Sequence, residues 1–198
     1  YDITSYAEYN TGYLTKTEYK DNLQLRPKAS ERINALVKQL GGLDKKPETY
    51  INNIFKHFRQ NEFYYTLFPP LLNDNPIEDF LFNSKAGFCG HYATAFTYLM
   101  RAAGIPTRVV TGYQGGLYNE SGDFIEVRQA NAHAWAEVWL KGKGWVRFDP
   151  TTAVAPERVE NDVNIEQQIS QQSISFAPVK LDSQTISFLK SARQLWSS

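Results

Sequence analysis

The chain has 198 residues, 42% of them hydrophobic and 14% aromatic, and its 21 Lys and Arg balance 21 Asp and Glu. Zero net charge argues against nucleic acid as a partner, because phosphate binding leaves an excess of basic residues. A single cysteine rules out an intrachain disulfide, and no run approaches the ~18 apolar residues of a bilayer span. One thiol fits a reducing compartment, and equally an exported domain that keeps one working cysteine. The opening YDITSYAEYN has neither a signal-peptide layout nor a starting Met, which suggests an excised fragment.

Residues 1–26 are tyrosine-rich and show no long period. In PKASERINALVKQLGG, Ile33, Leu36, Val37 and Leu40 follow helical spacing and Gly41-Gly42 supplies a stop. A second helix is expected from Pro47, with Ile51, Ile54, Phe55 and Phe58 on one face. FYYTLFPP, ending at Pro70, reads as a short extended segment, and Asn75-Pro76 starts a short helix. In the segment that follows, Tyr92, Ala95, Phe96, Leu99, Met100 and Ala103 form one helical face, apolar enough to be buried, and Gly104 ends it. Beyond Ile105-Pro106 the period becomes two, and TRVVTGY, FIEVRQ, HAWAEVWL and WVRFDP read as four strands. After Pro150 glycine disappears; NIEQQISQQS reads as a poorly ordered connector and LDSQTISFLKSARQLW as a last helix.

Helices followed by an antiparallel sheet make the fold class α+β. The expected organisation is one domain overall. It comprises an N-terminal helical accessory region (1–62), a core carrying the chemistry (63–155) and a C-terminal extension and connector (156–198).

A cysteine nucleophile needs a partner that keeps it as thiolate, and that partner needs an orienting group. Cys89 opens the apolar helix, where unpaired N–H groups and the helix dipole favour a charged sulfur and can help bind an oxyanion. Gly87 offers close access to it. Of the three histidines, His57 lies among Lys56, Phe58 and Arg59 and reads as a packing or surface residue. His91 follows Cys89 by two positions, about 200° around a helix, so its side chain points away.

His133 stands apart. It shares a strand face with Trp135, Glu137 and Trp139, and the return strand carries Trp145, Arg147 and Asp149 on one face. With the turn centred on Lys141, His133 faces Asp149, Trp135 faces Arg147 and Glu137 faces Trp145. Facing β-carbons are ~5 Å apart. Asp149 would accept a hydrogen bond from one ring nitrogen and leave the other for the thiol. Taken singly, each of these residues has a simpler explanation as core or strand end; the combination is what points to chemistry.

The segments GFCGHYATAFTYLMRAAGIPTRVVTGYQGG, AHAWAEVW and GWVRFDPT resemble the transglutaminase-like (papain-related) superfamily, over about residues 60–160. They resemble in particular the periplasmic domain of bacterial, membrane-anchored protein-glutamine gamma-glutamyltransferases. The resemblance implies a central helix carrying the nucleophile, packed on an antiparallel sheet. It implies Cys89 as nucleophile, His133 as base and Asp149 as its orienter, with no cofactor and no metal. It also implies a periplasmic domain of an inner-membrane parent, with transmembrane helices before and after. The residue after the cysteine is often acidic in such proteins; here it is Gly90. Tyr65, Tyr113, Gln114 and Trp135 are further candidates for substrate or oxyanion contacts around the cleft.

The chemistry this leads to is acyl transfer from a glutamine side chain to an amine through a thioester at Cys89. Its substrates would be proteins or peptides, peptidoglycan-linked peptides among them. Two alternatives stay open: the same thioester attacked by water, giving a protease or amidase, and a binding module without catalysis at the cell wall. The face bearing Trp135, Trp139 and Trp145 could exclude water from the site, or could simply lie beneath the N-terminal region.

Overall fold

The protein is described by a computed structural model over residues 10–44 and 46–156. The Gln/Ser-rich connector and the last helix expected from sequence lie outside the described residues, as do the first nine residues.

Three helices come first: α1 (Lys16–Asp21), α2 (Glu31–Gln39) and α3 (Pro47–Gln60). Short α1 escapes the periodicity reading because none of its residues is buried. Its start is a capping box, in which Thr15 and Glu18 satisfy each other's backbone N–H groups. Ser30 caps α2 by accepting from the Ile33 N–H at 3.2 Å, and Pro47 occupies the first turn of α3. The faces of α2 and α3 expected to be apolar are buried, and Tyr50 joins them. Phe55 is only partly buried against the core.

FYYTLFPP supplies β1 (Tyr64–Tyr65), which pairs in parallel with β2 (Ala86–Gly87). Between them lie α4 (Pro76–Asp79) and a π-turn over Phe80–Ser84. This pairing of residues 22 positions apart fastens the chain just ahead of helix α5 (Cys89–Ala102). Helix α5 is buried on more than one face, through Tyr92, Ala93, Phe96, Thr97, Leu99 and Met100 among others. Edge-on rings hold its first half: Tyr92 lies 5.5 Å from Phe58 and 5.1 Å from Phe80. The Tyr50 hydroxyl donates to the Leu99 carbonyl at 3.0 Å. Gly104, with φ +77°, ends the helix.

The main sheet has three antiparallel strands in the order β3 (Thr107–Tyr113), β6 (Ala132–Leu140), β7 (Gly144–Phe148). On β6, Ala134, Ala136, Val138 and Leu140 are buried while Trp135, Glu137 and Trp139 are half-buried, as a period of two requires. FIEVRQ does not join this sheet. Its first three residues form β5 (Phe124–Glu126), which pairs with β4 (Leu117–Asn119) in a separate ribbon. Gly115 and Gly116 interrupt the chain after β3, and the ribbon leaves Leu117, Tyr118, Phe124 and Ile125 exposed.

The β6–β7 hairpin is also shifted from its expected register. Glu137 pairs with Arg147 and Trp139 with Trp145, so the turn is centred on Gly142 and not on Lys141. The cause is local. Gly142 (φ +82°), in the three-residue loop 141–143, and Gly144 (φ +77°), the first residue of β7, take left-handed conformations, and the Lys143 N–H closes the loop on the Leu140 carbonyl at 3.0 Å. A shift of the centre by one residue moves the partner by two positions. Every side chain therefore keeps its expected face.

Candidate active site

The ladder between β6 and β7 stops at Ala136 and Phe148. His133 and Asp149 lie beyond its end, on the same face but diagonal to each other instead of directly opposed. They still meet: His133 Nε2 is 2.6 Å from Asp149 Oδ2. Both are buried, at 7% and 9% exposure. Asp149 is held from its other side, because its Oδ1 accepts the Thr151 N–H at 3.1 Å as cap of the 3₁₀ turn over Pro150–Ala153. The proline that follows Asp149 thus starts a turn that orients the carboxylate.

With Nε2 engaged by Asp149, Nδ1 is the ring nitrogen left for Cys89, with which His133 is hydrogen-bonded. Cys89 is half-buried at the start of α5. Its sulfur lies against the backbone at the beginning of β6, where the Ala134 N–H bonds it, and it also receives the Gly90 N–H. Burial pushes the thiol up, but the His133 hydrogen bond, the Ala134 N–H, the His133 charge and the Gly90 N–H outweigh it and hold Cys89 below its ordinary value. Burial likewise opposes charge on His133. The hydrogen bonds to Asp149 and Cys89, together with their charges, overcome it and raise the ring to about 9. Both shifts run toward the charged forms, a thiolate beside an imidazolium.

The other histidines are elsewhere. His57 packs on Phe58 and Phe63, its Nε2 buried without a hydrogen-bond partner among the described residues, and burial and then Lys85 hold it below its ordinary value. His91 faces away from Cys89: its Nδ1 accepts the Phe88 N–H at 3.3 Å, and its ring meets Phe88 edge-on at 4.4 Å. This explains Gly87 differently from open access. A β-carbon there would lie 2.6 Å from the His91 Cβ, so Gly87 is needed for packing.

Of the weaker candidates, Trp135 stacks beside His133 with centroids 6.4 Å apart, and its Nε1 is buried without a hydrogen-bond partner among the described residues. Gly112, opposite His133 on β3, leaves room for that indole, since a β-carbon would come within 2.9 Å of it. Tyr113 pairs with Ala132 next to His133, and its hydroxyl donates to Gln129 Oε1 at 3.2 Å. Gln114 accepts from Arg147 Nη2 at 2.6 Å. Tyr65 pairs with Gly87, two residues before Cys89.

Arg147 is the residue that sequence reasoning passed over. Its guanidinium covers the Trp135 ring at 4.2 Å and stands 3.7 Å from Asp149 Oδ2. The signal was its place two residues before Asp149 on the same strand face. Trp145 lies under other residues. Arg108 covers its ring at 4.2 Å and pairs with Glu137 at 2.7 Å, while the Thr11 hydroxyl accepts the Trp145 N–H at 2.8 Å. The cover over the ring thus comes from β3, while the N-terminal segment meets the Trp145 backbone.

Compared with known proteins, the chain matches the transglutaminase-like superfamily over residues 34–150. It is 40% identical over 180 residues to a protein-glutamine gamma-glutamyltransferase of Pseudomonas aeruginosa, covering 89% of this chain and 27% of that protein. It is 42% identical over 86 residues to the uncharacterized protein YebA of Bacillus subtilis, covering 41% of this chain and 12% of that one. It thus spans a minor part of either curated relative. Among solved structures, the periplasmic domain of TgpA from Pseudomonas aeruginosa superposes with a TM-score of 0.71 at 42% identity, over 78% of this chain and 53% of that one. A cysteine protease candidate from Cytophaga hutchinsonii, at 23% identity and a TM-score of 0.50, shares the fold over 74% of this chain and 46% of its own.

Proposed function

Because the chain belongs to the transglutaminase-like superfamily, we propose that it transfers the acyl group of a glutamine side chain to an amine through a thioester on Cys89. The observation that carries this reading is the buried 2.6 Å His133–Asp149 pair, with the second ring nitrogen turned to a thiol held below its ordinary value. The Cys89 thiolate attacks the γ-carboxamide carbon and the S–C bond forms. The oxyanion is met by the first-turn N–H of Cys89, which no helical carbonyl can take. The His133 imidazolium gives its proton to the departing nitrogen as the C–N bond breaks, and ammonia leaves. An amine then attacks the thioester. His133 takes its proton, the new amide forms and the thiolate is restored. Asp149 keeps Nε2 protonated throughout and offsets the ring's charge.

The acyl donor is a glutamine-bearing protein or peptide, a reading supported by the name of the Pseudomonas aeruginosa relative. We place the domain in the periplasm as part of a membrane-anchored parent, by its likeness to the TgpA periplasmic domain. Among the described residues no helix is long and apolar enough to cross a membrane.

The test is incubation of the protein with a glutamine peptide and a labelled primary amine, followed by mass spectrometry. Amine incorporation that disappears in Cys89→Ala supports transfer. Conversion of glutamine to glutamate alone would show water as the acceptor. Incorporation that persists in Cys89→Ala would end the proposal.

A further inference from the structure

A cavity of about 300 Å³ opens beside the N-terminal turn of α5. Its walls are Leu72, Ile77, Phe80 and Phe88, and its floor is Gly90 and Thr94 on α5. Phe88 and Gly90 are the two chain neighbours of Cys89, so the rim of the cavity begins one residue from the sulfur-bearing position. Gly90 keeps the floor low: a β-carbon there would press on the Phe88 ring at 3.1 Å. Among the described residues, no Lys, Arg, Asp or Glu lines the cavity. The histidine that does, His91, has its Nδ1 engaged by the Phe88 N–H and its charge disfavoured by burial.

We propose that this cavity is the subsite for an uncharged, apolar side chain of the acyl-donor polypeptide, two or three residues along from the reacting glutamine. The proposal rests on the transfer reading above, because it needs a peptide laid across Cys89. The spacing follows from geometry. Thr94 lies five residues past Cys89, about 7.5 Å along the helix, and an extended peptide covers that distance in two residues at ~3.3 Å each. The chemistry follows from the walls. A leucine or phenylalanine side chain sheds water onto matching apolar surface, whereas an aspartate would lose its hydration and gain no partner. The volume is ample for either apolar side chain.

The test uses Cys89→Ala protein, which cannot turn over, and fluorescein-labelled glutamine peptides carrying Leu, Phe, Gly or Asp two and three positions to either side. Fluorescence anisotropy reads the affinity. The Leu and Phe peptides bind about tenfold more tightly than the Gly and Asp peptides. That advantage disappears when Thr94→Trp, at an exposed helix position, fills the cavity, or when Ile77→Asn makes its wall polar; circular dichroism melting confirms that both variants are folded. Equal affinities for the four peptides, an absent response included, overturn the proposal. So does a leucine preference that survives both variants. Because binding is measured without turnover, a preference seen here alongside failure of amine incorporation in the active protein would sink the transfer reading and leave the subsite standing.

Discussion

Replacing Asp149 by Asn removes one charge and little volume, and the consequence can be worked out from the structure. His133 sits at about 9 instead of 6.5. At 1.36 kcal/mol per pH unit, and allowing for solvent at the mouth of the site, its surroundings favour the imidazolium by about 2–3 kcal/mol. Loss of an opposite charge in hydrogen-bond contact lowers such a ring by about 1–3 pH units, so His133 in Asp149→Asn should titrate at about 6–8. The amide also cannot serve both of its neighbours. The carboxylate accepts from His133 on Oδ2 and from the Thr151 N–H on Oδ1. An Asn that keeps the Thr151 bond turns its NH₂ toward His133 Nε2, which then has to be the unprotonated nitrogen. The proton moves to Nδ1 and points at the sulfur, the wrong tautomer for a base. By analogy with other triads, kcat should fall about 10²–10⁴-fold. The assay is a proton–carbon NMR titration of the His133 ring in wild type and variant, together with the rate of Cys89 alkylation by iodoacetamide across pH. In the variant the thiolate loses its charged partner, so alkylation at pH 6 to 7 should slow and its inflection move to higher pH. An unchanged His133 titration and an unchanged alkylation profile would refute the assigned role of Asp149.

The remaining predictions use the same contacts. Amine incorporation by the wild-type protein should follow a bell-shaped pH profile. The acid limb marks formation of the Cys89 thiolate below the ordinary thiol range, and the alkaline limb, near 9, marks loss of the His133 proton; activity undiminished at pH 10.5 would contradict it. Gly87→Ala forces a β-carbon against His91 and, at 3.0 Å, against Phe80, so urea unfolding should show a loss of about 1–3 kcal/mol. His57→Phe removes a buried Nε2 that has no partner among the described residues, at the loss of the exposed 3.2 Å contact between Nδ1 and Asn61, while Asn61 keeps its 2.8 Å bond to the residue 57 carbonyl. Its stability should match or exceed wild type by up to about 1 kcal/mol, and a clear loss in urea unfolding would show that the imidazole is needed there.

The sequence by itself determined the elements and their faces, because these depend on local spacing. Ile33, Leu36 and Val37 on α2, the buried face of α5 and the alternation along β6 all follow from periods of 3.6 and 2. The same parity put His133 and Asp149 on one face, which is why an error in the centre of the hairpin did not separate them. Which ring nitrogen meets Asp149, and how the carboxylate is oriented by Thr151, depended on what lies past the end of the ladder, and strand pattern carries no information there. The position of Cys89 was beyond local reasoning as well. Its sulfur reaches His133 because α5 packs across β6 and because β1, from residues more than twenty positions earlier, grips the chain at Gly87. The shallow cavity next to it, built from Leu72, Ile77, Phe80, Phe88 and the first turns of α5, has no sequence signature, since its walls come together only when the π-turn folds back on the helix. Local periodicity sets what each segment can be, and long-range packing decides which groups end up within reach of one another.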